Sequence, residues 1–250
     1  MINAGLFLAG FVSWTISTLS AGGGSILIVA AIAALLRGHA IAPVITFASF
    51  VASPARIILF WHFIEWRVVR WYVPGATAGA SLGGWAFIHS NAQLIQIFLG
   101  LFLVSTFWQY RLGNRSQSFR MRLPWFLPVS FASGLTSAVV GASGLLANPF
   151  YLNYGLAKEP MLATRAVNSL AIQIVKISAY LAFGALNWDL VRHGVSAGAG
   201  AVLAIWLTRP WLHRLDPRRF RKFAVSVMVM AGLLILWQQR MWILSPFVGG

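Results

Sequence analysis

The stretch STLSAGGGSILIV, residues 18–30, decides how the rest of the chain is read. It lies inside an apolar run from Ile2 to Leu36, and in its middle Gly22, Gly23 and Gly24 follow one another. A run of glycines gives up helical hydrogen bonds and exposes backbone. Hydrocarbon penalises that unless the break is enclosed by protein or faces water. The stretch therefore reads as the tip of a re-entrant hairpin whose two short arms meet deep in a membrane. The competing reading is a glycine kink in one long tilted helix. In the hairpin, the arm beginning near Ser25 presents a helix N-terminus to the midplane, where free N–H groups and the positive dipole end favour an anion.

Composition supplies the membrane. Hydrophobic residues make up 59% of the 250 residues and charged ones 9%, with a mean hydropathy of +0.76, too little polar surface for a water-soluble fold. Several apolar stretches are long enough to cross a hydrocarbon core of about 30 Å. Strand-like alternation is absent, which indicates helices rather than a barrel. The net charge of +15 does not indicate nucleic acid as a partner. The basic residues cluster in short loops between spans, as the positive-inside rule predicts. Cysteine is absent, which excludes disulfides, thiolate metal sites and thiol catalysis. The segment from Ile2 to Leu19 lacks a basic leader and runs directly into more membrane-grade sequence, so it reads as part of the mature protein.

Eight hydrophobic elements follow one another, at 2–36, 41–64, 67–88, 92–111, 124–156, 160–184, 189–208 and 222–243. The first and fifth are longer than one crossing and are broken at matching places, AGGGS at 21–25 and VVGASG at 139–144. Shifting the chain by about 120 residues places Ser49, Ser53, Arg56 and Phe60 on Ser169, Gln173, Lys176 and Tyr180. EWRVVR at 65–70 then falls near NWDLVR at 187–192. Charge decides the topology. Setting aside Arg56, Arg165 and Lys176, the remaining basic residues divide 8 and 8 if every element crosses, but 13 against 3 if the fifth is a hairpin returning to its own side. Three crossings and one hairpin per half make the halves face opposite ways. The expectation is an all-α integral membrane protein built as an inverted repeat of two four-element halves, 1–112 and 124–243, joined by a basic linker at 113–123. The basic loops 113–123 and 209–222 are expected on the cytoplasmic side. The doubled GxxxG pattern of GATAGASLG at 75–83, with Gly194, Gly198 and Gly200, predicts close helix approaches.

Within spans, charge is rare because it costs on the order of 3 kcal/mol or more at the bilayer centre. Arg56 and Lys176 stand about eight residues from their helix ends, each in a polar stripe at helical spacing. One stripe is Thr46, Ser49, Ser53 and Arg56; the other is Arg165, Ser169, Gln173, Lys176 and Tyr180, with Asn168 beside it. In an inverted repeat the two cations reach toward a shared centre from opposite sides. The alternative for the cations is snorkelling toward headgroups. For Ser and Thr it is bonding to neighbouring helices or backbone, and for Asn148 and Asn153 capping of broken helix ends. The four carboxylates, Glu65, Glu159, Asp189 and Asp216, all fall at loops or helix ends. His62 reads as an interfacial residue. A buried site with cations and no carboxylate suits an anion. The substrate-binding set is therefore Arg56, Lys176, Ser49, Ser53, Ser169, Gln173, Asn168 and the hairpin-tip residues Gly23, Gly24, Ser25, Ser143 and Gly144. No metal, cofactor or catalytic residue is indicated.

These residues carry a resemblance. Over almost its full length the chain resembles the TauE/SafE sulfite exporter family, also called the DUF81 group. The likeness rests on GFVSWTISTLSAGGGSILIV at 10–29, its counterpart GLTSAVVGASGLL at 134–146, and the turns FIEW at 63–66 and GALNW at 184–188. Those turns are similar to a G-x-V/I-D-W repeat of the family. Phe63 stands where the first-half glycine would be, and Glu65 and Asn187 where the usual aspartates would be. The resemblance implies a carrier exporting sulfite or an organosulfonate across the cytoplasmic membrane of a prokaryote. With no nucleotide-binding motif, its energy comes from an ion gradient, the membrane potential or the substrate's own gradient. The sequence selects neither a coupling proton or ion nor an oligomeric state, a homodimer included. Two rivals remain. GASG at 141–144 matches the G-x-S-G of rhomboid proteases, with Ser143 as nucleophile and His193 as its partner. The other is an anion channel or lipid-handling scaffold.

Overall fold

A computed structural model describes residues 2–20, 24–36, 41–86, 92–110, 117–140, 146–182 and 186–239. Within them ten α-helices follow in order: α1 (Ile2–Leu19), α2 (Gly24–Leu35), α3 (Ile41–Leu59), α4 (Trp66–Ala86), α5 (Ala92–Tyr110), α6 (Phe126–Val140), α7 (Asn148–Tyr154), α8 (Glu159–Ala182), α9 (Trp188–Arg214) and α10 (Pro217–Gln238). The regular structure among the described residues is all helical. Both glycine-rich breaks interrupt helix. The first separates α1 from α2 and the second separates α6 from α7, while the tips at 21–23 and 141–145 lie outside the described residues. α7 ends on Gly155, whose φ of 98° is the left-handed conformation that closes a helix without a Cβ penalty.

Among the described residues four helices are long and apolar enough to cross a membrane, Ile2–Leu19, Ala42–Leu59, Trp188–Arg214 and Pro217–Gln238. α8 has the length, at 24 residues, but Arg165, Asn168, Gln173 and Lys176 lower its apolarity. Asn168, Gln173 and Lys176 are buried, so its polar stripe faces protein. The stretch 209–222, expected as a loop, is almost all helix. α9 continues to Arg214, and α10 starts at Pro217, five residues before the expected start of the eighth element. Proline in the first turn suits a helix start, where its missing N–H has no partner to lose, and arginine is a good helix former. Only Leu215 and Asp216 remain between the two helices.

Small residues bring the helices together. On α1 and α9, a Cβ added to Gly10 would overlap the carbonyl of Ala197, and one added to Gly200 the carbonyl of Phe7. On α6 and α4, the same holds for Gly134 against Ala76 and Gly79 against Phe131. These two crossings correspond residue by residue. Gly134 and Phe131 lie 124 positions after Gly10 and Phe7, and Ala197 and Gly200 lie 121 after Ala76 and Gly79. α5 and α10 cross where Gly100 and Gly232 face each other, a Cβ on Gly232 falling 2.7 Å from the Gly100 carbonyl. Elsewhere α3 packs on α8 and α9, and α4 on α8.

Contacts between distant segments fix which ends lie together. At one end, His193 Nδ1 and Asn3 Oδ1 are 2.6 Å apart, and the Ser196 hydroxyl donates to the Asn3 carbonyl at 2.7 Å. Gly5 there abuts the Leu35 side chain, so α1 enters and α2 leaves at the same end. At the other end, Asn153 Oδ1 accepts the N–H groups of Ser118 and Phe119 at 2.6 and 3.0 Å, joining the segment before α6 to the end of α7. Glu159 meets His213 there, Oε1 to Nδ1 3.1 Å, and Lys158 Nζ donates to the His213 carbonyl. His193 and His213 are 20 residues apart on one helix, about 30 Å, which is the thickness of a hydrocarbon core.

The close crossings predict that Gly79→Val and Gly200→Val each lower the melting temperature of the detergent-purified protein by several degrees. Ser81→Val, on the exposed face of α4, should leave it unchanged.

Candidate functional site

Arg56 is buried at 9% exposure and lies in the last turn of α3, behind Pro54: the helix stops at Leu59 rather than near residue 64, so Arg56 is three residues from the helix end and not about eight as expected. It does not snorkel. Its Nη2 donates to the hydroxyls of Ser17 and Thr18, both at 3.2 Å, at the last turn of α1 next to the glycine break. Thr18 is held by its own bond to the Trp14 carbonyl at 2.8 Å. Arg56 Nε is buried without a hydrogen-bond partner among the described residues. A guanidinium enclosed this way keeps donor capacity for a group with negative charge.

Lys176, on α8, is buried at 5% exposure, and one turn before it Gln173 Oε1 is buried and unpartnered among the described residues. Four residues after it, the Tyr180 hydroxyl lies near Thr46 of α3. The two expected cations do not share one point. The charge acting on Arg56 is that of Arg165, and no other charge among the described residues acts on Lys176. Arg165 and Lys176 are 11 residues apart on α8, about 16 Å along its axis, so Arg56 and Lys176 stand at different heights of the α3–α8 pair.

The rest of the expected set divides. Ser53 donates to the Ser49 carbonyl at 2.7 Å and Thr46 to the Ala42 carbonyl at 2.8 Å, the bonds within a helix that small hydroxyls often make. Ser49 and Ser169 are half-buried. Asn168 is buried, with Nδ2 donating to the Tyr151 hydroxyl at 2.7 Å and Oδ1 unpartnered among the described residues. Gly24 and Ser25 open α2, while Gly23, Ser143 and Gly144 lie outside the described residues. Asn153 ties two segments together, and Asn187 accepts the Asp189 N–H at 2.6 Å as the cap of α9, a task an aspartate performs equally well. His62 is exposed.

Sequence reasoning missed one side of the site. Tyr72 of α4 and Tyr151 of α7 are both buried and stack with ring centroids 5.8 Å apart. Tyr72 donates to the Ser133 hydroxyl at 3.1 Å. The charge of Arg165 acts on both phenols as well as on Arg56. In the sequence the tyrosines counted as apolar span residues, and Arg165 has Ile45 at its counterpart position, so the repeat gave no reason to single it out. The stripe on α8 was the available signal. The carboxylates lie at helix starts near the ends of the bundle, buried Glu159 with Lys158 and His213, and exposed Asp189 with Arg192. No cluster of acidic and histidine side chains that could hold a metal occurs among the described residues.

A bundle of apolar helices with buried cations, and with its carboxylates near the bundle ends, suits an anion transporter, and the family comparison agrees. Residues 6–235 match the family described as sulfite exporter TauE/SafE. The chain belongs to that family. No curated protein and no solved structure matches it. TauE/SafE proteins are transporters rather than enzymes, which sets aside Ser143 as a protease nucleophile. Membership implies a multi-pass membrane protein that exports sulfite or a sulfonate.

The Asn168–Tyr151 bond gives a test. Tyr151→Phe strands the amide and should destabilise the protein by about 1–3 kcal/mol. The double variant Tyr151→Phe/Asn168→Leu, which removes both partners, should recover part of the loss in detergent unfolding.

Proposed function

We propose that this TauE/SafE protein is a secondary transporter that exports a small sulfur oxyanion by alternating access between two oppositely oriented halves. The observation that carries the reading is the buried Arg56 guanidinium, held by Ser17 and Thr18 beside a glycine break and still offering Nε. Lys176 is its counterpart in the other half, farther along the α3–α8 pair, and Gln173, Asn168, Ser49, Ser53 and Ser169 orient the substrate between them. Gly24 and Ser25, which open α2, supply backbone donors.

An inverted repeat has specific support. The α1–α9 and α4–α6 crossings use corresponding glycines, and α1 and α2 meet at the opposite end of the bundle from the segments flanking α6 and α7. The end holding Ser118, Asn153 and His213 also carries Arg120, Arg122, Lys158, Arg214, Arg218 and Arg219 and is the cytoplasmic side by the positive-inside rule. Two stations at different heights, one nearer each face, suit a carrier that passes its anion from one half to the other. An inside-negative potential contributes about 2.3 kcal/mol per charge per 100 mV toward anion export.

In proteoliposomes, the wild type should release preloaded sulfite with saturable counterflow. Arg56→Gln and Lys176→Gln should each reduce the rate on the order of 100-fold while eluting as folded protein. Ohmic conductance without counterflow would indicate a channel instead, and wild-type flux in both variants would remove these residues from the site.

A further inference from the structure

Among the described residues the buried apolar side chains form two cores rather than one. The first gathers α1, α2, α3 as far as Ala55 and α9 as far as Ile205. The second gathers α4 through α8 and α10. Two helices of the first core end in the second. α3 leads from Ala55 to Phe60 and α9 from Ile205 to Leu212, and each passage has an internal proline at or beside it, Pro54 and Pro210. Proline lacks the N–H that would bond the carbonyl four residues back, that of Phe50 in α3 and of Trp206 in α9. Just ahead of each proline a hydroxyl bonds its own helix one turn back, Ser53 to the Ser49 carbonyl at 2.7 Å and Thr208 to the Ala204 carbonyl at 2.6 Å, which also favours bending there. Past Pro210 the end of α9 is fastened to the second core. Leu212 is buried in it, His213 Nδ1 meets Glu159 Oε1 at 3.1 Å, and Lys158 Nζ donates to the His213 carbonyl at 3.3 Å.

We propose that transport proceeds by rocking of these two bodies against each other, with Pro54 and Pro210 as the hinges. The proposal rests on the alternating-access reading. The bodies are not the two halves of the sequence, because α4 packs in the second body and α9 in the first. Inside each body, backbones touch. The carbonyls of Ala197 and Phe7 lie against Gly10 and Gly200 in one, and those of Ala76 and Phe131 against Gly134 and Gly79 in the other. Crossings this close leave no slack for sliding. The α3–α8 contact between the bodies is of another kind. Buried Ser53 and Arg56 stand on α3, and buried Gln173 and Lys176 on α8. A seam with such side chains can take water or an anion when it opens, whereas an apolar contact would lose its packing. Arg56 is two residues past Pro54 and holds Ser17 and Thr18 of α1, so an anion bound by its guanidinium acts at a hinge.

The exchange of α4 and α9 makes the test sharp, and the chain has no native cysteine to interfere. Spin labels are placed in the full-length protein in nanodiscs at two pairs of exposed positions, Leu8→Cys with Leu203→Cys on α1 and α9, and Leu8→Cys with Leu82→Cys on α1 and α4. Distances are measured by double electron–electron resonance with and without sulfite. The α1–α9 distance should stay fixed while the α1–α4 distance shifts by on the order of 5 Å. Pro54→Ala and Pro210→Ala restore the helical N–H, so each should keep or raise the melting temperature. Each should bind sulfite within a few-fold of wild type yet slow its flux in proteoliposomes on the order of 10-fold, a loss that damage to the fold would not produce. A change in the α1–α9 distance, no change in either pair, or wild-type flux in both proline variants would overturn the proposal. Saturable sulfite counterflow alongside any of these leaves the carrier reading standing, and its absence from the wild type overturns both.

Discussion

A positive charge held away from water inside a membrane constrains every element around it. The Arg56 guanidinium has given up its hydration shell, and what replaces it comes from a helix end: the hydroxyls of Ser17 and Thr18 on the last turn of α1. That turn can point inward because α1 stops at Leu19, and it stops because glycines follow. The break and the cation are thus two parts of one arrangement. Remove the glycines and a continuous helix would carry its hydroxyls past Arg56, and remove Arg56 and the broken helix end has less reason to be buried.

The bundle that encloses this pair is assembled by close backbone contact. Lipid tails are as apolar as leucine, so no hydrophobic force gathers transmembrane helices, and van der Waals contact must do it. Glycines at 10, 79, 134 and 200 let carbonyl oxygens of the facing helix sit where side chains would otherwise be. Large apolar residues such as Leu8, Ile58, Trp188 and Trp206 are turned outward, the reverse of a soluble protein and fitting for a lipid-facing surface.

Much of this was legible in the sequence, and the reasons are physical. Composition fixed the solvent, the glycine runs marked the places where helices break, and the rarity of intramembrane charge marked Arg56 and Lys176 without any structure. The GxxxG spacing announced the α4–α6 crossing. What the sequence hid was pairing across helices. Tyr72 and Tyr151 lie 79 positions apart and look apolar one at a time; their polarity matters only because they stack beside Arg165. The basic stretch at 209–222 misled for a different reason. Charge density suggested a loop, whereas helix formers and Pro217 at a first turn extend α9 and α10 to within two residues of each other. The height separation of Arg56 and Lys176 was implicit in the inverted repeat, but only the α3–α8 packing sets it.

The central claim is that positive charge at position 56 binds the transported anion, and the cysteine-free chain allows it to be measured directly. Arg56→Cys carries the only thiol in the molecule and can be modified with a cationic or a neutral methanethiosulfonate of similar size, with full labelling verified by mass spectrometry. The account predicts that sulfite release is lost in the unmodified variant, returns after the cationic reagent and stays absent after the neutral one. Wild-type release before modification, or equal release after the two reagents, would contradict it.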